Sequence, residues 1–112
     1  MEGLEAISFQ LISNAGAAKS NYFKAIELVQ KNQIEEANQL IAEADEILVH
    51  AHQIHAGLIQ QEASGNPIAM NLLLTHAEDL LMSAEMVKDF ALILCNIFQN
   101  YKLEVKEKST NQ

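Results

Sequence analysis

Residues 72–98 read LLLTHAEDLLMSAEMVKDFALILCNIF, and two stripes run through them at helical spacing. One is Leu73, Ala77, Leu80, Ala84, Val87, Ala91, Leu94 and Phe98, apolar throughout. The other is Leu72, His76, Asp79, Ser83, Met86, Phe90, Ile93 and Ile97, apolar except at three consecutive members. Alternating steps of three and four mark helices packed in a bundle. A three-helix monomer needs roughly one core stripe per helix, so the second stripe points to burial between subunits.

The same spacing extends toward the N-terminus. Leu4, Ile7, Leu11, Ala15, Ala18, Tyr22, Ala25 and Val29 form one stripe, with a second at Phe9, Ile12, Gly16, Phe23 and Ile26. Between them and residue 72 lies Ile34, Ala37, Ile41, Ala44, Leu48, Ala51, His55 and Leu58, with Glu35, Glu36, Glu43, Glu46 and Gln53 largely outside. Two places break the pattern. Asn32 is expected to cap a helix, with Glu35 as its capping-box partner. At Ser64-Gly65-Asn66-Pro67, Gly65 suits the left-handed position after a helix, Asn66 the next N-cap and Pro67 the first helical turn. Helices of about 2–31, 33–64 and 67–104 follow, and short connections make neighbours antiparallel. The expectation is an all-α, up-down-up three-helix bundle in one domain, 1–105, with a polar tail at 106–112 that frays.

Composition agrees. The 112 residues are 49% hydrophobic but only 5% aromatic, with one Pro and four Gly, which suits helices packed through small side chains. A net charge of −8 without a basic stripe argues against nucleic acid and against an anionic membrane surface. No apolar run reaches the length of a membrane span. The first residues, MEGLEAISF, begin with acid and lack the order of a signal peptide, so the cytoplasm is the expected compartment. The single Cys95 excludes an internal disulfide and reads as a small buried hydrophobe.

His76, Asp79 and Ser83 need a reason to interrupt an apolar stripe, because burying an unpaired polar group costs about 1–3 kcal/mol. Either the stripe emerges into solvent near the start of its helix, or the interruption carries chemistry. A reachable imidazole at the edge of an apolar surface is a nucleophile near neutral pH. Asp79, at i+3, shares its face with Cβ atoms about 5–6 Å apart, close enough to orient the ring. A seam aspartate in a symmetric oligomer also meets its own copies, which must then be protonated, solvated or neutralised by a cation. His50 lies on the charged outer face; His52 and His55 form an i,i+3 pair that reads either as hydrogen-bonded core or interface groups or as metal ligands. No Walker loop, HExxH, CxxC or Ser-His-Asp arrangement is legible.

Thr75-His76-Ala77-Glu78-Asp79-Leu80-Leu81-Met82 resembles the HxQDHLM segment of the lactose/cellobiose-type enzyme IIA proteins of the bacterial phosphoenolpyruvate-dependent sugar phosphotransferase system. Asn14-Ala15-Gly16-Ala17-Ala18-Lys19-Ser20 is similar to that family's AGxARS. Glu43-Ala44, Ala51-His52, Leu58 and Glu62-Ala63-Ser64-Gly65 follow its EAxxxxxxAHxxQTxLxxxEASG, so the likeness runs from about Ile7 to Leu103. Glu78 stands where the family usually has Gln, Leu80 where it often has His, and His55 and Ala56 where it has Gln and Thr.

The resemblance implies a homotrimer whose His76 accepts phosphate from the phosphocarrier HPr and passes it to a cysteine of the sugar-specific enzyme IIB. It implies uptake of a β-glycoside of the lactose, cellobiose or chitobiose type. It further implies that Asp79 from three subunits surrounds one divalent cation, magnesium being the expected ion, on the threefold axis. Thr75 is expected among the groups that hydrogen-bond the phosphoryl oxygens. The alternatives are a regulatory or scaffold trimer of the same fold without phosphotransfer, and an unrelated metal-binding bundle that uses His52 and His55.

Overall fold

The computed structural model describes residues 3–110, with side chains throughout except at positions 102, 103, 109 and 110. Its helices are α1 (Leu4–Gln30), α2 (Ile34–Ala63) and α3 (Leu72–Thr110), and the described residues include no strand. They run up, down and up in a rod of 68 × 20 × 20 Å.

Alanines set the closeness of the packing. Ala37, Ala44 and Ala51 recur every seven residues in α2, as do Ala77, Ala84 and Ala91 in α3, and all six are fully buried. Against them α1 presents Leu11, Ala15, Ala18, Tyr22, Ala25 and Val29, also fully buried. Small side chains at heptad spacing let backbones approach closely, so α1 packs intimately along both partners. α2 and α3 approach each other far less, and longer polar side chains span the gap between them.

The helix ends show where local chemistry was reassigned. Asn32 does not cap α2: it adopts φ 62 and closes α1 in a Schellman arrangement. Its N–H donates to the Val29 carbonyl and that of Gln33 to the Leu28 carbonyl. Gln33 becomes the N-cap of α2, with no side-chain cap bond. The second turn repeats the solution with Gly65 at φ 93, Gly65 N–H donating to Glu62 and Asn66 N–H to Gln61. Asn66 therefore terminates α2 and does not open α3. The opening of α3 passes to Asn71, whose Oδ1 accepts the Leu74 N–H at 2.8 Å. α3 thus starts at Leu72, five residues later than the position of Pro67 suggests. At its other end α3 runs to Thr110 and not to about 104, because Glu104 to Lys108 contains no helix breaker. The expected α1 start at residue 2 and the tail residues 111–112 lie outside the described residues.

The two stripes of α3 differ in burial, although Leu94 of the first is 37% exposed and the buried row also takes in Leu74, Leu81 and Cys95. Ala77, Ala84 and Ala91 of the first are buried, and Leu80 and Val87 pack beside them. In the second, Leu72, Met86, Phe90, Ile93 and Ile97 are 54–86% exposed. Phe9 and Phe23 of the second α1 stripe are each 52% exposed, whereas Ile12 and Ile26 pack on the core. A single chain therefore carries a long apolar seam open to solvent, well beyond scattered surface hydrophobes.

Candidate functional site

The open seam of α3 carries His76 and Asp79, both exposed, and half-buried Ser83. His76 stands five residues after the Asn71 cap. Helical side chains lean toward the N-terminus, so position 76 covers the first turn of α3. There the free backbone N–H groups and the positive end of the helix dipole favour an anion. The cap also matters for Thr75: its hydroxyl donates to the Asn71 carbonyl at 2.8 Å. In this structure that proton is engaged by the helix, and Thr75 secures the turn.

Among the described residues, no side-chain hydrogen bond or ion pair joins His76 to Asp79. The sequence spacing puts both on one face, but the carboxylate does not fix the ring within one chain. No group of three or more His, Cys, Asp or Glu side chains gathers as a metal site among the described residues. One chain supplies a single Asp79 carboxylate to the seam. An ion there would need further donors from other copies.

A different set of polar groups is assembled between α2 and α3. His55 Nε2–H donates to Glu78 Oε1 at 3.0 Å, and His52 bonds Glu85. Lys88 Nζ lies 3.5 Å from Asp45 Oδ1, and the same oxygen accepts the Tyr22 hydroxyl at 2.5 Å. Burial, then the Asp45 hydrogen bond, raise the Tyr22 pKa far above the ordinary tyrosine value. Each histidine of the His52/His55 pair thus has its own carboxylate partner, the interface role weighed for them above. His50 is exposed. Cys95 is buried, and desolvation pushes its thiol pKa up, which suits an inert packing group.

The ladder Asp45, Glu85 and Lys88 was not read from the sequence. Its signal is a seven-residue step on each helix, from Asp45 to His52 and from Glu78 to Glu85, which lines up one flank of α2 with one flank of α3. Glu78, next but one to His76, therefore turns away from the seam toward α2.

Residues 6–99 match the family model described as PTS system, Lactose/Cellobiose specific IIA subunit. The chain is 40% identical over 95 residues to the oligo-beta-mannoside-specific EIIA component of the PTS system of Bacillus subtilis, covering 85% of this chain and 86% of that one. To the lichenan-specific phosphotransferase enzyme IIA component of the same organism it is 38% identical, covering 88% and 89%. The crystal structure of the PTS cellobiose-specific enzyme IIA from Bacillus anthracis superposes with a TM-score of 0.85 at 36% identity, covering 95% of this chain and 96% of the other.

Proposed function

We propose, since the chain belongs to the lactose/cellobiose-specific IIA family and is a phosphotransferase-system component, that it carries phosphoryl groups on His76. The observation that supports this is an exposed His76, with no side-chain partner among the described residues, five residues after the Asn71 cap of α3. A neutral ring nitrogen attacks the phosphorus of a phosphohistidine donor. The new P–N bond forms as the donor's P–N bond breaks, and the donor imidazole leaves with its electron pair. The donor is HPr, and the acceptor is a cysteine thiolate of a sugar-specific enzyme IIB, all in the cytoplasm. Little further machinery is needed, because positioning and neutralisation of the equatorial oxygens dominate such transfers. The sugar is a β-glycoside, in keeping with relatives named for oligo-beta-mannoside and lichenan.

The working assembly is a homotrimer. The open seam of Leu72, Met86, Phe90, Ile93 and Ile97 supports it, as apolar surface on that scale calls for a partner. A threefold axis along α3 would bring three Asp79 carboxylates together. Hard oxygen donors of that kind suit one divalent cation, magnesium or calcium, which would offset their repulsion.

Incubation with phosphoenolpyruvate, enzyme I and HPr, followed by intact-mass measurement, tests the carrier role. One acid-labile phosphate per chain, absent in His76→Ala, is the expected result. A chain that stays unphosphorylated would instead favour the regulatory or scaffold trimer.

A further inference from the structure

We propose that His55 is a positioning residue for phosphoryl acceptance at His76, acting by holding the Glu78 carboxylate on the α2 side of α3. This rests on the carrier reading above. Glu78 follows His76 by two residues, so with Asp79 it is one of the two anions nearest in sequence to the accepting ring. Side chains two apart leave a helix in diverging directions. A free glutamate nevertheless samples a wide arc on its long, flexible stem.

The tether is specific. His55 Nε2–H reaches Glu78 Oε1 at 3.0 Å, with both side chains partly shielded. An imidazole N–H can donate in the neutral ring and in the cation alike, so the hold does not depend on ring charge. The other groups that could donate to Glu78 along the α2/α3 flank are engaged elsewhere: His52 takes Glu85, and Lys88 and Tyr22 take Asp45. Glu78 borders two hollows: one is lined by Leu81, Met82, Glu85 and His52, whose ring is already taken by Glu85, and the other by Ile59, Met70, Leu74 and Glu62, which adds a second carboxylate and no donor. Without His55 the carboxylate returns to water and swings within Coulomb range of a phosphoryl dianion on His76. One charge about 8–10 Å from a dianion in water slows its arrival by at most about threefold at low ionic strength, and the released carboxylate adds the part of that repulsion which the tethered one does not already exert.

The test uses the full chain with phosphoenolpyruvate, enzyme I and HPr, reading the initial rate of phosphate gain by intact mass, with helicity checked by circular dichroism. His55→Leu fills the half-buried position without a donor and should be slower than wild type at low salt, by up to about threefold. Its deficit should disappear near 1 M salt, where the screening length is about 3 Å. His55→Gln keeps an N–H donor and should remain near wild type. The pair His55→Leu/Glu78→Gln should recover the rate, since no charge is left to hold. If the bridge merely braced the two helices, the double variant would be as slow as His55→Leu. That result overturns the proposal, as does a His55→Leu rate equal to wild type at low salt. A wild-type chain that takes no phosphate brings down the carrier reading itself, and the wild-type arm keeps the two failures apart.

Discussion

The Tyr22 hydroxyl of α1 donates to Asp45 of α2 at 2.5 Å, and the same carboxylate oxygen stands 3.5 Å from Lys88 of α3. One carboxylate thus ties all three helices together at mid-height, under a fully buried aromatic ring. The folded chain holds the Tyr22 proton more tightly than the unfolded chain does. A pKa raised on folding contributes stability that is present below the unfolded value, near 10, and lost as pH rises above it. Urea midpoints should therefore fall between pH 9 and 11. Tyr22→Phe should cost about 0.5–1.5 kcal/mol at pH 7 and show a shallower alkaline loss, with lysine titration common to both proteins. Equal alkaline slopes for the two would contradict this account.

His76→Ala should abolish phosphate acceptance and leave far-ultraviolet circular dichroism unchanged, because the ring is exposed and supports no packing. His50→Ala, also exposed, should accept phosphate at the wild-type rate. Phosphate appearing on the His76→Ala chain by mass spectrometry would relocate the site.

Asp79 is the middle one of three polar members, with His76 and Ser83, of a seam that is apolar elsewhere. In a trimer, Asp79→Leu removes charge and cation while continuing the seam. Replacing buried charged groups with apolar ones is often neutral or stabilising by about 1–4 kcal/mol. The Leu variant should therefore stay trimeric in chelator. Asp79→Ala should be weaker because it leaves a void. Wild type in chelator should be weakest, its carboxylates facing one another uncompensated. Sedimentation of all three with and without chelator decides the matter, and wild-type assembly indifferent to chelator would remove the cation from the picture.

Ala84 lies fully buried in the heptad row of α3 that faces α1. Ala84→Leu should cost about 1–3 kcal/mol, since the added methylenes force the backbones apart. Urea denaturation followed at 222 nm measures it. A midpoint within error of wild type would mean that α1 and α3 pack less tightly than the buried alanines indicate.

Asn71 caps α3, whereas Asn66 belongs to the end of α2. Asn71→Ala should therefore destabilise the protein by about 0.5–2 kcal/mol. Pro67→Ala should change stability little. The reverse ranking in thermal melts would restore the helix start to Pro67.

The periodicity of residues 4–29, 34–58 and 72–98 by itself determined three helices and the core faces of α1 and α2, because a 3.6-residue turn converts spacing directly into a face. In α3 it found Ala77, Ala84 and Ala91 but put exposed Leu94 on the core face and left out buried Leu74 and Leu81. It also marked the second α3 stripe as surplus to one chain, and picked out His76, Asp79 and Ser83 as its polar members. Capping was less legible. Asn32, Asn66 and Asn71 are chemically alike, and which helix each serves depends on backbone angles that only the assembled turns fix. The α2/α3 ladder was decided by tertiary structure alone. Glu78, Glu85, Lys88, Asp45 and His52 carry ordinary surface chemistry. They become pairs only because alanine rows draw α2 and α3 against α1 and leave a gap between them that long polar side chains can cross. For the same reason Glu78, adjacent to the site in sequence, faces His55 and not His76: direction around a helix follows from residue number, but the partner met there follows from packing.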